Sequence, residues 1–193
     1  MTEDNICIHC KQAFKSTRND ANFCSSKCRQ AAYRVRSEEK EARKLCTIGY
    51  KGKKLPDFIN ILKENKIKHV LDVRFSTISS MKTEFGEENI QYVLQNAGIS
   101  YRSFKDLGVP TKIQEIYKTD QMSIPEFERF YRNHVGDIDM IALSHEIKEF
   151  GKTALMCLEQ YALPQRKQKI ACHRSILASI LKETGEFDEV IHL

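Results

Sequence analysis

Four of the seven cysteines fall within the first twenty-eight residues, as Cys7-x-x-Cys10 and Cys24-x-x-x-Cys28 with thirteen residues between the pairs. Two short chelating pairs joined by a loop can close a tetrahedral sulfur cage around one zinc ion. A segment this short has little core of its own, so the metal would supply the folding energy. The same thiols could pair as two disulfides. Nothing at the N-terminus reads as a secretory signal, however, and an intracellular thiol pool keeps such pairs reduced. The expectation is therefore a structural Zn2+ site at Cys7, Cys10, Cys24 and Cys28 in a cytoplasmic protein. His9, between the first two ligands, is expected as a solvated knuckle residue because the four cysteines already complete the set.

A second group of reactive side chains is spread along the rest of the chain. Asp72 and Arg74 end the apolar run that starts at His69, and Cys157 and Glu159 end the run that starts at Thr153. Cys172-His173-Arg174-Ser175 opens a further periodic segment. Asp72 and Glu159 suit general acid–base work. Arg74 and Arg174 suit bidentate grip of a phosphate or carboxylate. Cys172, beside His173 and at a helix start, has the surroundings that favour a thiolate nucleophile. Tyr50, Lys51, Ser79 and Ser175 are placed to help hold a substrate anion. Each has a plainer alternative. Asp72 can pair with Arg74, Glu159 can bridge to Arg174, and Cys172 can be a simple helix-start residue. Cys157 reads as a buried inert thiol, His192 as strand packing, and Arg166, Lys167 and Lys169 as a solvated loop.

The elements that must position these groups are read from periodicity. Strands are expected at 46–50, 69–74, 99–104, 153–159 and 189–193. Helices are expected over 55–65, 87–97, most of 124–150, and 173–184. Gly98 and Gly185 are placed to stop two of them, and Pro125 is permitted in a first turn. Strand and helix alternate, which predicts an α/β fold with a mostly parallel, Rossmann-like sheet covered on both faces. The domain plan is a four-cysteine finger over 1–34, a helical linker over 35–45 and the α/β domain over 46–193. In such sheets ligands gather outside the carboxyl ends of the strands. Residues 72–74, 157–159 and 172–174 are therefore expected to meet at one mouth.

Of the formal net charge of +5, +4 lies in residues 1–45; four thiolates around Zn2+ would lower that to about +2. From Ser26 to Lys44 nothing breaks a helix. Ser25 is placed as its N-cap, and Phe14 and Phe23 would plug the space beneath the metal. Arg29, Tyr33, Arg36, Lys40 and Arg43 share one face of this helix. A basic stripe interrupted by an aromatic suits nucleic-acid contact; a solvated helix laced by pairs such as Glu39 with Arg43 is the plainer alternative. No apolar run approaches the roughly 18 residues of a membrane span.

The residues Thr47-Ile48-Gly49-Tyr50 with Gly52, Leu71-Asp72-Val73-Arg74 with Ser79, Gly98-Ile99-x-Tyr101, Leu107-Gly108, Cys157-x-Glu159 and Cys172-His173-Arg174-Ser175 with Ala178 form a specific set, closed by Val190-Ile191-His192. On these the chain from Thr47 to Leu193 resembles the family known as domain of unknown function 488. The resemblance implies an α/β sandwich with an active site on these motifs and no agreed reaction. The chain departs from the family in Thr77, where proline is common, and in Val109-Pro110 after Leu107-Gly108. The N-terminal finger is an addition, and the stretch Phe23 to Arg34 resembles the second half of a treble-clef finger.

Two functional classes follow. One is an enzyme acting on a nucleotide or nucleic acid by hydrolase or lyase chemistry, with no redox-cofactor fingerprint. The alternative is a non-enzymatic zinc-bearing adaptor for nucleic acid or protein. So many ionisable residues at strand ends favour the enzyme.

Overall fold

Short chelate loops and alternating apolar runs build two separate units, Met1–Glu41 and Ala42–Leu193. The computed structural model describes residues 3–18, 20–77, 83–119, 121–166 and 170–193. In the first unit, β1 (Glu3–Ile6) and β2 (Ala13–Ser16) form an antiparallel hairpin in which Ile6 faces Ala13. Lys11 between them takes a left-handed backbone with φ 60°, and its N–H donates to the Cys7 carbonyl, which turns the chain sharply around the first cysteine pair. Helix α1 (Ser26–Ala42) starts where Ser25 Oγ accepts the Cys28 N–H at 3.2 Å, so Ser25 is the cap its position suggests. Phe14 and Phe23 are half-buried.

The second unit is the expected α/β fold. Its strands are β3 (Lys44–Gly49), β4 (His69–Asp72), β5 (Ser100–Ser103), β6 (Thr153–Cys157) and β7 (Glu189–His192). All neighbouring pairs are parallel, in the order β5-β4-β6-β3-β7. The central three are almost wholly buried, which is why they read as continuous apolar runs.

Period-two alternation divides the side chains between two cores. Cys46, Ile48, Val70, Ala154 and Met156 face α2 (Leu55–Glu64) and α3 (Glu87–Asn96), meeting Phe58, Leu62, Ile90 and Leu94. Leu45, Leu71, Leu155 and Cys157 face the other layer. That layer consists of α4 (Thr111–Lys118), α5 (Ile124–His134), α6 (Met140–Glu149) and α7 (His173–Glu183). Each fully buried large side chain here contributes about 1.5–3 kcal/mol.

The structure departs from the sequence expectations in detail. The stretch 124–150 is mostly helical as expected, but divided into two helices, the second starting where Asp139 accepts the N–H groups of Ile141 and Ala142. β6 stops at Cys157, two residues short of Glu159. Helix α4 was not expected at all, although Ile113, Ile116 and Tyr117 carry its spacing behind Pro110. Among the described residues no helix is long and apolar enough to cross a membrane.

Candidate metal centre and candidate active site

In the first unit the thiols of Cys7, Cys10, Cys24 and Cys28 all lie within 4.8 Å of one another. Cys10 and Cys24 are 3.7 Å apart and Cys24 and Cys28 3.4 Å. A tetrahedron with Zn–S arms of 2.3 Å has edges of about 3.8 Å. These two separations lie within a few tenths of an ångström of such an edge, and the whole group is close enough to hold a zinc ion. The backbone N–H of Cys10, with those of Cys24 and His9, holds the Cys7 thiol down to about 6 against the opposing effect of burial. That favours the thiolate a metal needs. His9 is exposed, in keeping with a knuckle residue that is not a ligand. On α1, Arg29, Tyr33, Arg36 and Lys40 are exposed. Arg43 leaves the stripe: the helix ends before it, and its guanidinium grips Asp188 at 2.6 Å and the Gly185 carbonyl at 3.1 Å. The expected Glu39 partner is displaced by an acid 145 positions away.

In the second unit, the ends of β3, β4 and β6 and the start of α7 border a cavity of about 440 Å³. Arg74, Cys157, Leu158, Glu159, Cys172 and His173 all line it, so the three segments separated in the chain do meet. Tyr50 and Lys51 stand on the β3 side, and α4 closes the opposite wall with Thr111, Gln114, Tyr117 and Lys118.

Two glycines make this convergence possible. A Cβ on Gly49 would stand 1.7 Å from the Glu159 carbonyl oxygen, and one on Gly108 would stand 2.1 Å from the Phe75 nitrogen. Only a residue without a side chain lets these backbones approach so closely.

Asp72 sits behind the wall. Its carboxylate is wholly buried and accepts from Arg74 Nε at 2.8 Å and Nη2 at 2.5 Å, from the Arg74 backbone N–H at 3.1 Å, and from Tyr101 OH at 2.7 Å. Arg74 also donates to Tyr50 OH at 3.1 Å and lies over the Tyr50 ring, which stacks on Phe85. Burial opposes the Arg74 charge, but the Asp72 carboxylate outweighs it and holds the guanidinium protonated. Burial, then the Asp72 charge, push the Tyr101 hydroxyl up, so it stays a donor. These four bonds engage the Asp72 carboxylate with Arg74 and Tyr101, and Asp72 does not line the cavity.

Arg174 is also absent from the cavity wall. It is nearly fully buried and donates from Nη1 to the Glu159 carbonyl at 2.6 Å, from Nη2 to the Gln160 carbonyl at 3.3 Å and from Nε to Thr47 Oγ1 at 3.4 Å. The sequence placed it as an anion grip or as the partner of the Glu159 side chain. The structure instead has it bracing the loop after β6. The Glu159 carboxylate pairs with Lys118 at 3.2 Å and Lys51 at 3.7 Å. Ser175 Oγ donates to the Cys172 carbonyl at 2.8 Å and borders a different depression, next to His192. His192 Nδ1 bonds Thr47 Oγ1 at 2.8 Å, in keeping with strand packing. Ser79, Lys167 and Lys169 lie outside the described residues.

The floor is the most reactive part. His173 Nε2 lies 2.7 Å from the Val73 carbonyl oxygen, which can only accept, so Nε2 carries the proton. In the neutral imidazole Nδ1 then carries the unshared pair, and it faces Cys157 Sγ at 3.8 Å and Cys172 Sγ at 3.9 Å. Burial alone would raise the Cys172 thiol. The Cys157 thiol and the Arg174 charge outweigh burial and bring it down to about 7. Its neighbour Cys157 moves the other way, raised by its bond to Cys172 and by burial. One thiol of the pair is thus primed to ionise.

The sequence reading missed Phe75, exposed at the cavity wall, and all of the α4 contribution, Lys118 above all. The apolar spacing of 113, 116 and 117 was the available signal. It also treated Cys157 as an isolated thiol, since nothing local connects it to Cys172.

Comparison with known proteins agrees with this architecture. The family model described as "Domain of unknown function DUF488" matches residues 54–181, about two thirds of the chain. The Thr47–Tyr50 and Val190–His192 motifs fall outside that match. Neither the comparison with curated proteins nor that with solved structures returns a match.

Proposed function

The chain belongs to the domain of unknown function 488 family, and from that premise we propose that its α/β unit is an enzyme that hydrolyses a nucleotide-sized anion in the crevice at the strand ends. The observation that carries this reading is a single cavity joining a cationic wall to a Cys157–Cys172–His173 floor. Lys51, Arg74 and Lys118 line it against one carboxylate, Glu159. They are the groups that grip a phosphate. The exposed ring of Phe75 offers a face to a flat base. The volume of about 440 Å³ lies within the range of small-molecule sites. Glu159, held by two lysines, is the proton acceptor. The floor supplies the nucleophilic group. Asp72 and Arg174 hold Arg74 and the Glu159 loop in position. The first unit is a structural zinc finger, and Arg29, Tyr33, Arg36 and Lys40 on α1 contact a nucleic-acid backbone.

The full chain is titrated with nucleoside mono- and diphosphates and the products are resolved by mass. Lys118→Ala is expected to weaken binding roughly tenfold, the loss of one charge-assisted contact. Absence of binding by any nucleotide at millimolar concentration refutes the crevice reading. For the finger, affinity for single-stranded RNA or DNA is measured at two salt concentrations. Arg29→Gln with Arg36→Gln is expected to flatten the salt slope by about 2, and a salt-independent wild type refutes the contact.

A further inference from the structure

We propose that Cys157, Cys172 and His173 form a second metal centre, a three-ligand zinc site whose open position faces the cavity. This rests on the reading of the crevice as catalytic and names the group that does its chemistry. The three donor atoms lie within 4.8 Å of one another. Zn–S arms of 2.3 Å and a Zn–N arm of about 2.0 Å set the S···N edges of a tetrahedron near 3.6 Å. The observed separations, 3.8 and 3.9 Å, close with movements of a few tenths of an ångström.

The histidine is prepared for this role. Its Nε2–H is anchored on the Val73 carbonyl, which fixes the tautomer and aims the Nδ1 pair between the two sulfurs. A metal-ligating histidine needs just such a bond from its other nitrogen. The donors also stand on ordered elements rather than on a loose loop. Cys157 is the last residue of β6, Cys172 caps α7 and His173 begins it. The Tyr131 ring packs beside the imidazole at 5.5 Å between centroids.

Charge and access both suit zinc. Two thiolates would balance the charge of the ion. All three ligands line the cavity, so the fourth position is open to water or to a substrate oxygen. The finger has four cysteine donors and is closed, as structural zinc sites are; three donors and an open place are the mark of a catalytic one.

The experiment uses the full chain, purified under reductant and without chelator, with native mass spectrometry and elemental analysis for zinc. Wild type is expected to carry a second zinc beyond the one in the finger. Cys172→Ala and His173→Gln should lose that ion alone, and Cys24→Ser should keep it. Should a variant fail to fold, cobalt titration of the wild type gives the same answer. Two distinguishable sets of sulfur-to-cobalt absorption are expected, one of which responds to added adenosine monophosphate. A wild type holding only the finger zinc overturns the proposal, whether Cys172 then proves alkylated by iodoacetamide or disulfide-bonded to Cys157. Adenosine monophosphate binding by such a zinc-poor protein leaves the crevice reading standing. A second zinc without any nucleotide binding overturns the crevice reading instead.

Discussion

The Asp72–Arg74 pair gives the sharpest test of how this cavity is held. Both side chains are buried, 0% and 5% exposed, and linked at 2.5 Å, so solvent does little to screen them. Removing one member leaves an uncompensated buried charge or its partner's unpaired donors, at about 3–5 kcal/mol. Asp72→Asn keeps the shape and the Tyr101 bond but loses the charge, so about 3 kcal/mol is expected; Arg74→Met should lose about as much. The double variant Asp72→Asn with Arg74→Met removes both charges together and should fall well short of the sum of the single losses, with a coupling of about 2 kcal/mol or more.

The assay is urea unfolding followed by far-ultraviolet circular dichroism at neutral pH. With a slope of about 1.5–2 kcal/mol per molar urea, a 3 kcal/mol loss moves the midpoint by roughly 1.5–2 M. Nucleotide binding is measured in parallel. If Asp72→Asn stays within about 1 kcal/mol of wild type yet loses turnover, Asp72 is a catalytic acid or base, and the positioning role argued from its four hydrogen bonds is wrong.

Three further outcomes are expected. Burial, with Arg102 nearby, lowers His69 from 6.5 to about 4, so the unfolded chain takes up the proton first as pH falls. That contribution is complete above pH 6.5 and is lost on the way down to pH 4; between pH 7.5 and 5 it amounts to about 2 kcal/mol, and His69→Gln should flatten that part of the urea-midpoint profile. Gly49→Ala sets its Cβ against the Glu159 carbonyl and should destabilise by at least about 2 kcal/mol while displacing Glu159; an unchanged midpoint with unchanged nucleotide affinity contradicts the close approach. On the proposal that the first unit draws its folding energy from a bound zinc, chelation, or Cys24→Ser, should make residues 3–41 protease-sensitive while the β3–β7 sheet keeps its unfolding transition; proteolysis unaffected by chelator would show a unit that folds without zinc.

Much of the molecule was readable before any coordinates. The spacing of Cys7, Cys10, Cys24 and Cys28 points to a group of four thiols that could hold a metal ion, because the donors lie in two short pairs whose geometry follows from the local chain. The parallel sheet follows from apolar runs too short for helices, each bounded by turn residues. The rule that ligands gather at strand ends anticipates that Arg74, 157–159 and Cys172–His173 border one cavity, though Asp72 and Arg174 stand behind its wall. Helix α4 was legible in principle from the helical spacing of Ile113, Ile116 and Tyr117, but it is only eight residues long and follows a proline, so the periodic signal covers barely two turns.

Residue types and local spacing alone determined which groups can ionise, chelate or cap, and which segments become strands. Tertiary structure decided which of them a ligand meets. It turned Arg174 inward to three oxygens, closed Asp72 behind Arg74, drew Arg43 to Asp188, and set the Cys157 thiol beside Cys172. These outcomes depend on distances between segments up to 145 positions apart and on which charges lose their water. Both are properties of the packed sheet, and neither is written into the neighbourhood of any one residue.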